Sequence, residues 1–193
     1  MVRAAGRFVG LRETKSNAEW DNPLTRASEK ALSDELLGLM RPTPWEPGWA
    51  YCIAFCEAVV RLALSDLGAS ADQIRAVTRP ITAGVMVTRD NLETLGHLSK
   101  TPVMGSIWLA RHGKSRLGHA GIVTATYFNK NAMLTPTAML ATVEANTNLD
   151  ASNPAKDREG DWITTRIFAA HGRGDLSTEG FLTPRSILSL AGI

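Results

Sequence analysis

The sequence predicts an α+β domain in which N-terminal helices pack on an antiparallel β-sheet. Apolar residues recur at helical spacing through the first third of the chain, whereas from Gly105 onward the apolar segments are β-rich and separated by polar, Gly or Asn stretches. Helices come first and strands second, without the regular alternation of a parallel βαβ fold. The length of 193 residues, with 44% hydrophobic and 21% charged composition, suits one domain over 1–193 with one core.

Residues 1–24 carry scattered charge, Asn22-Pro23 and no sustained period, so they read as a lead-in, with the core over about 25–193. From Thr25 to Met40, Ala27, Ala31, Leu32, Leu36, Leu39 and Met40 fall at helical spacing, and Arg41-Pro42 stops the run. Pro42 to Gly48 holds three prolines and Trp45 and reads as a stiff connector. Residues 52–67 set Phe55, Val59, Val60, Ala63 and Leu64 opposite Glu57, Arg61 and Asp66, with Gly68 at the C′ position. In residues 70–101 an apolar Gly84-Val85-Met86-Val87 piece precedes a helix candidate over Asp90–Leu98. Strands are expected at Ile107–Arg111, His119–Phe128, Ala138–Thr147 and Trp162–Ala169. Thr183 caps a short final helix with Pro184 at its first position and Ile187, Leu188 and Leu190 facing inward.

Charge and cysteine usage narrow the function classes. The net charge of +2 comes from 21 basic and 19 acidic residues without a long basic run, which gives no case for nucleic acid. The longest apolar-rich stretch, Ala50–Leu64, contains Glu57 and Arg61 and falls short of a membrane span, so no stable membrane insertion is expected. Cys52 and Cys56 are four apart on one helix, which argues against a disulfide framework. Met1–Arg12 offers only Phe8-Val9 as an apolar core for a signal peptide, so synthesis in the cytoplasm is expected, with any exported destination reached by another route.

Cys52 stands where a tight turn enters a helix. Helix entry supplies unpaired N–H groups and a positive dipole end, which favour a thiolate and can hold an oxyanion. Thiol chemistry also needs a base and a group that orients it. His119, in Gly118-His119-Ala120-Gly121-Ile122-Val123, has small neighbours that would leave its ring accessible. In Thr142-Val143-Glu144-Ala145-Asn146-Thr147, period two puts Glu144 and Asn146 on one face, where either can accept from the imidazole. Cys56, one turn deeper, reads as packing.

Rival chemistries lack their motifs. The four histidines form neither His-Glu-x-x-His nor any paired ligand spacing, so no metal is expected, and no cofactor is required. Gly113-Lys114-Ser115 would need a glycine at Trp108 to be a phosphate loop. Arg111, Lys114 and Arg116 precede His119 and read either as an attractor of substrate carboxylates or as a solvated hairpin. Trp45, Trp49 and Tyr51 read as a sugar or peptide groove or as packing over the helix start.

Three motifs in order resemble the CHAP amidohydrolases, papain-like peptidoglycan hydrolases related to the NlpC-type peptidases. Tyr51-Cys52-Ile53-Ala54-Phe55 is similar to the family's Trp-Cys-Ala-x-Phe, Gly118 to Val123 to its Gly-His-Val-Gly-Ile-Val, and Val143-Glu144-Ala145-Asn146-Thr147 to its Ile-Glu-Gly-Asn-Thr. The likeness spans about residues 45–170. Tyr51 stands for the usual Trp, Ala145 for a Gly and Ser106 for an Asp. The resemblance implies a papain-like CHAP fold, Cys52 as nucleophile, His119 as base, and Glu144 with Asn146 as orienting residues. It further implies peptidoglycan as substrate, with Trp49, Tyr51 and Arg116 as candidate substrate contacts.

A phage endolysin and an interbacterial toxin delivered by a secretion machine both fit these features. So do a cysteine amidase or acyltransferase on a cytosolic substrate and a non-catalytic wall-binding module. Nothing in the sequence demands a dimer, so a monomer is expected.

Overall fold

The computed structural model describes residues 1–13, 20–21, 30–43, 45–46, 49–127, 138–147 and 161–193. Helices α1 (Val2–Gly6), α2 (Lys30–Met40), α3 (Cys52–Asp66), α4 (Ala71–Thr78), α5 (Val85–Thr94) and α6 (Pro184–Ala191) accompany nine strands among those residues. These are β1 (Arg12–Glu13), β2 (Trp20–Asp21), β3 (Leu98–Ser99), β4 (Ile107–His112), β5 (Gly118–Tyr127), β6 (Met139–Thr147), β7 (Trp162–Ala169), β8 (Gly172–Arg173) and β9 (Leu176–Leu182). Every strand pair is antiparallel, in the order β2-β1-β7-β6-β5-β4-β9-β3, with β8 pairing β9. The fold is therefore α+β. Among the described residues no helix is long and apolar enough to cross a membrane.

Strand register sorts the side chains onto two faces. Ile107, Ile122 and Val143 stand opposite one another across β4, β5 and β6, and with Leu109, Ala120 and Ala145 they join the core built around α3. The alternate set of Trp108, Ala110, Val123, Leu140, Phe168, Leu176 and Phe181 forms a second apolar cluster. A period of two on the central strands thus produces both cores at once.

α3 is the most enclosed element. Eleven of its fifteen residues are buried, among them Glu57, which the helical period assigns to the polar side with Arg61 and Asp66. The correction has a physical cause. α2 and α4 also lie against α3, and Glu57 is satisfied inside that layer by the Thr43 hydroxyl at 2.7 Å and by the Arg61 guanidinium. Burial pushes the Glu57 carboxyl up, opposed by its bonds to Thr43 and Arg61.

The lead-in also differs from expectation. α1 and the strands β1 and β2 lie within it, and Ala4, Ala5, Phe8 and Leu11 are core residues. Phe8 meets Phe55 of α3 edge to face, with centroids 6.2 Å apart. Short apolar pairs without a sustained period do not announce a helix, and only the tertiary surface of α3 and the sheet gives them a place.

In residues 70–101, α4 carries a Ser70–Gln73 capping box, and α5 begins at Val85 rather than at Asp90. Strand β9, not expected, lies between β4 and the edge strand β3. α6 keeps its Thr183 cap and N1 proline, burying Ile187 and Ala191 while Leu188 and Leu190 are half-buried. The expected helix start at 25–29, Phe128, and residues 44, 47 and 48 of the connector lie outside the described residues.

Phe8→Ala and Phe55→Ala should each cost about 3–5 kcal/mol in urea denaturation. The double variant should reveal about 1 kcal/mol of coupling between the two rings. Additive losses would mean that the N-terminal segment does not brace α3.

Candidate active site

The site begins with a rule of sheet geometry. Gly121 on β5 lies directly opposite Glu144 on β6, and His119 precedes Gly121 by two residues, so His119 and Glu144 share a face on adjacent strands. A Cβ at Gly121 would stand 2.6 Å from Glu144 Cγ. The glycine therefore leaves the space through which Glu144 lies toward the imidazole. At Gly118 a Cβ would meet the Ala110 carbonyl at 2.5 Å and Val85 at 2.9 Å. These glycines permit close packing rather than solvent access: His119 is only 4% exposed, which corrects the expectation of an accessible ring.

The His119 Nε2–H donates to Glu144 Oε2 at 2.8 Å, and the Cys52 thiol lies near enough to the same ring to favour its proton. With Nε2 taken, the nitrogen left for Cys52 is Nδ1. Cys52 is the first residue of α3, where backbone N–H groups have no partner within the helix. Tyr51, at the N-cap, supplies no side-chain cap to them. Cys52, His119 and Glu144, from three separate stretches, are thus brought together at one place.

Glu144 has more company than the sequence suggests. Thr142 donates its hydroxyl to Oε1 at 2.6 Å. Arg173 of β8 grips both oxygens, with its two terminal nitrogens 2.8 Å from Oε1 and 2.7 Å from Oε2. The guanidinium also lies over the rings of Phe168 and Trp108, at 4.9 and 5.8 Å from their centroids. Trp108 in turn meets His119 edge-on at 6.1 Å and donates its indole N–H to Thr178 at 2.8 Å. Sequence reasoning missed Arg173. Its only local signal is the pattern Gly172-Arg173-Gly174, because a two-residue strand has no period to read.

Electrostatics follow from this shell. Burial opposes ionisation of Glu144, but the hydrogen bonds and charges of His119 and Arg173 overcome it and hold the carboxyl well below the usual range. Burial likewise disfavours the imidazolium, and the hydrogen bonds to Cys52 and Glu144 outweigh it, raising His119 to about 10. Cys56 is fully buried one turn on, where burial first, then Cys52 and Glu144, push its thiol up, as suits a packing residue.

Asn146 follows a different logic. A bulge on β6 lies between Glu144 and Thr147, and Asn146 has a φ of 58°, a left-handed conformation that Asn tolerates better than most residues. The alternation that set it on the face of Glu144 is interrupted there.

The candidate substrate contacts divide. Trp49 is half exposed, whereas Tyr51 is fully buried and belongs to the core, so its ring faces no groove. Arg116 is exposed and pairs with Asp90 of α5 at 2.8 Å, while Arg111 pairs with Glu179 at 2.8 Å. Two cations of that loop therefore have acidic partners of their own. Among the described residues no group of three or more His, Cys, Asp or Glu side chains is arranged to hold a metal ion.

Comparison with family models, curated proteins and solved structures finds no match to this chain.

The raised pKa of His119 links the site to stability. Unfolded, the ring titrates near its ordinary 6.5; folded, it holds its proton up to about 10. Its contribution is complete below about pH 6.5 and is lost as pH rises through about 10. Glu144 has the opposite sign, contributing above its ordinary 4.5 and losing that contribution as pH falls toward its lowered folded value. Urea midpoints of the wild type should fall between pH 6.5 and 10. Those of His119→Gln should fall less, and equal slopes would contradict the assignment.

Proposed function

We propose that the chain is a cysteine amidohydrolase that cleaves an amide bond of bacterial peptidoglycan, on a papain-like CHAP fold. The observation that carries the thiol mechanism is the buried series Cys52, His119 and Glu144, with His119 hydrogen-bonded to Glu144 at 2.8 Å and its proton favoured by Cys52 beside it. Peptidoglycan as substrate rests on the resemblance of the three motifs around these residues.

In this reading the Cys52 proton resides on His119 before substrate arrives, because the ionised Glu144 favours the imidazolium. The thiolate attacks the amide carbonyl, and the carbonyl oxygen takes the negative charge. The backbone N–H of Cys52, at the open start of α3, donates to that oxyanion. His119 then gives its proton to the departing nitrogen, leaving a thioester on Cys52 and a free amine. Neutral His119 next takes a proton from water, whose hydroxide oxygen attacks the thioester. The acid leaves, Cys52 departs as thiolate beside the protonated His119, and the thiolate–imidazolium pair is restored.

Glu144 holds the ring and balances its charge. Trp49 is the candidate aromatic contact with substrate. The protein acts on the wall after release or delivery, as an endolysin or a delivered toxin would.

Cys52→Ala should abolish release of fragments from purified cell walls while circular dichroism and the urea midpoint stay near those of wild type; undiminished lysis would sink the mechanism. Glu144→Ala should lose more activity than Asn146→Ala, and the reverse order would exchange their roles. Mass spectrometry of the products identifies the bond, since a new stem-peptide N-terminus and a freed lactyl group are distinct masses.

A further inference from the structure

Glu144 raises a question that a Cys–His–carboxylate series does not answer, namely what stops a buried carboxylate from rotating, protonating or turning away from the imidazole. A carboxylate with a single imidazole partner can rock about its terminal torsion, and in a dry site it tends to take up a proton. Here three groups act on it at once, and only one of them is the base.

We propose that Arg173 is a positioning residue of this site: its forked guanidinium fixes both Glu144 oxygens, so that Oε2 is presented to His119 Nε2 and Nδ1 is kept toward Cys52. The fork geometry is the argument. Each terminal nitrogen takes one oxygen, at 2.8 and 2.7 Å, which sets the carboxylate plane, whereas a point charge would leave it free to turn. Thr142 takes a further lone pair of Oε1 at 2.6 Å, which leaves Oε2 for the imidazole.

Arg173 is itself held. The rings of Trp108 and Phe168 lie against it, and these rings are 4.7 Å apart by centroid. β8, which carries Arg173, pairs with β9 through Arg173↔Leu176. Arg173 thus reaches Glu144 from an element that holds none of the three reacting residues.

The groups that bear on Glu144 come from four elements. They are His119 of β5, Thr142 of β6, Arg173 of β8, and the two thiols of α3, Cys52 and Cys56, of which Cys56 feels the Glu144 charge. Arg166 of β7 lies opposite Thr142 but donates to Thr147 at 3.1 Å. Among the described residues Arg173 and His119 are the charged groups bonded to Glu144, so removing Arg173 leaves the carboxylate with His119.

The inference rests on Cys52, His119 and Glu144 being the reacting groups, and not on peptidoglycan being the substrate. The test therefore reads the thiol itself. The second-order rate of Cys52 alkylation by iodoacetamide, located by peptide mass spectrometry, is measured across pH for the full-length wild type, Arg173→Met and Arg173→Lys, alongside thermal denaturation.

Arg173→Met should alkylate about tenfold more slowly or worse at neutral pH, and the acid limb of its profile should move to higher pH as the uncompensated Glu144 takes up a proton. Arg173→Lys restores the charge without the fork, so it should recover the acid limb but not the full rate. In wall lysis both variants should lose kcat with little change in KM. A folded Arg173→Met with the wild-type rate and profile, differing only in melting temperature, would reduce Arg173 to a structural residue and overturn the proposal. Should the Met variant not fold, the Lys variant decides, and a wild-type alkylation rate in it overturns the role of the fork. A wild type with reactive Cys52 but no lytic activity would refute the substrate and leave Arg173 standing. A Cys52 no more reactive than a free thiol would overturn both.

Discussion

A carboxylate removed from water remains charged only where cations and donors replace its hydration, and Glu144 meets that requirement with an imidazole, a forked guanidinium and a hydroxyl. Much of the site follows from satisfying it. Gly121 must be a glycine because Glu144 lies over it. Trp108 and Phe168 must be large and flat because Arg173, gripping Glu144, needs apolar walls that do not compete for its donors. His119 holds its proton to about 10 because Cys52 and the fixed anion of Glu144 together outweigh its burial. The buried charges therefore bind three strands and the start of α3 into one unit, in which loss of a charged partner strands the others.

The same constraint bears on the helix that carries Cys52. α3 has apolar neighbours around most of its circumference and carries a second buried carboxylate, Glu57, compensated by Thr43 and Arg61. Glu57 and Arg61 lie one turn apart on α3 and move with it, and the helix is tied to its neighbours through Thr43, which donates to Glu57 at 2.7 Å, and Thr78 of α4, which accepts from Arg61 at 3.1 Å. Cys52, one turn before Cys56 and at the start of this element, inherits that rigidity, and its distance to His119 is held by packing rather than by a loop.

Legibility in the sequence followed how local each signal was. α3 and the central strands could be read because helical and alternating periods extend over enough residues to be distinctive, and Cys52, His119 and Glu144 each stand inside such an element. The first residues could not be read that way: α1 has five residues, and its value lies in the contact of the following Phe8 with Phe55, far along the chain. Glu57 defeated the amphipathic reading because the third dimension supplied Thr43 and Arg61. Asn146 defeated the alternating one because a bulge changes the count, which single-strand periodicity cannot contain. Tyr51 shows the converse error, since an aromatic beside a nucleophile suggests a groove on chemical grounds while its position beneath the helix start buries it completely.

Arg173 represents the deepest layer of this problem. Its importance depends on a fork aimed at a residue on another strand, and the pairing of β8 with β9 that carries it has no helical or alternating signature. A triad pattern names the groups that exchange protons and is silent about the group that keeps the carboxylate ionised. Yet a buried charge implies a compensating one as a matter of electrostatics. Once Glu144 is assigned to a buried strand beside a histidine that must carry a proton, the proposed thiol mechanism places three charges in the site, a thiolate and a carboxylate on one side and an imidazolium on the other, which leaves a deficit of one positive charge. A guanidinium fills that deficit with geometry as well as charge, because a planar fork matches a planar carboxylate where an ammonium does not. Counting charges in a proposed catalytic series therefore predicts that a cation exists, and the folded chain determines which one it is.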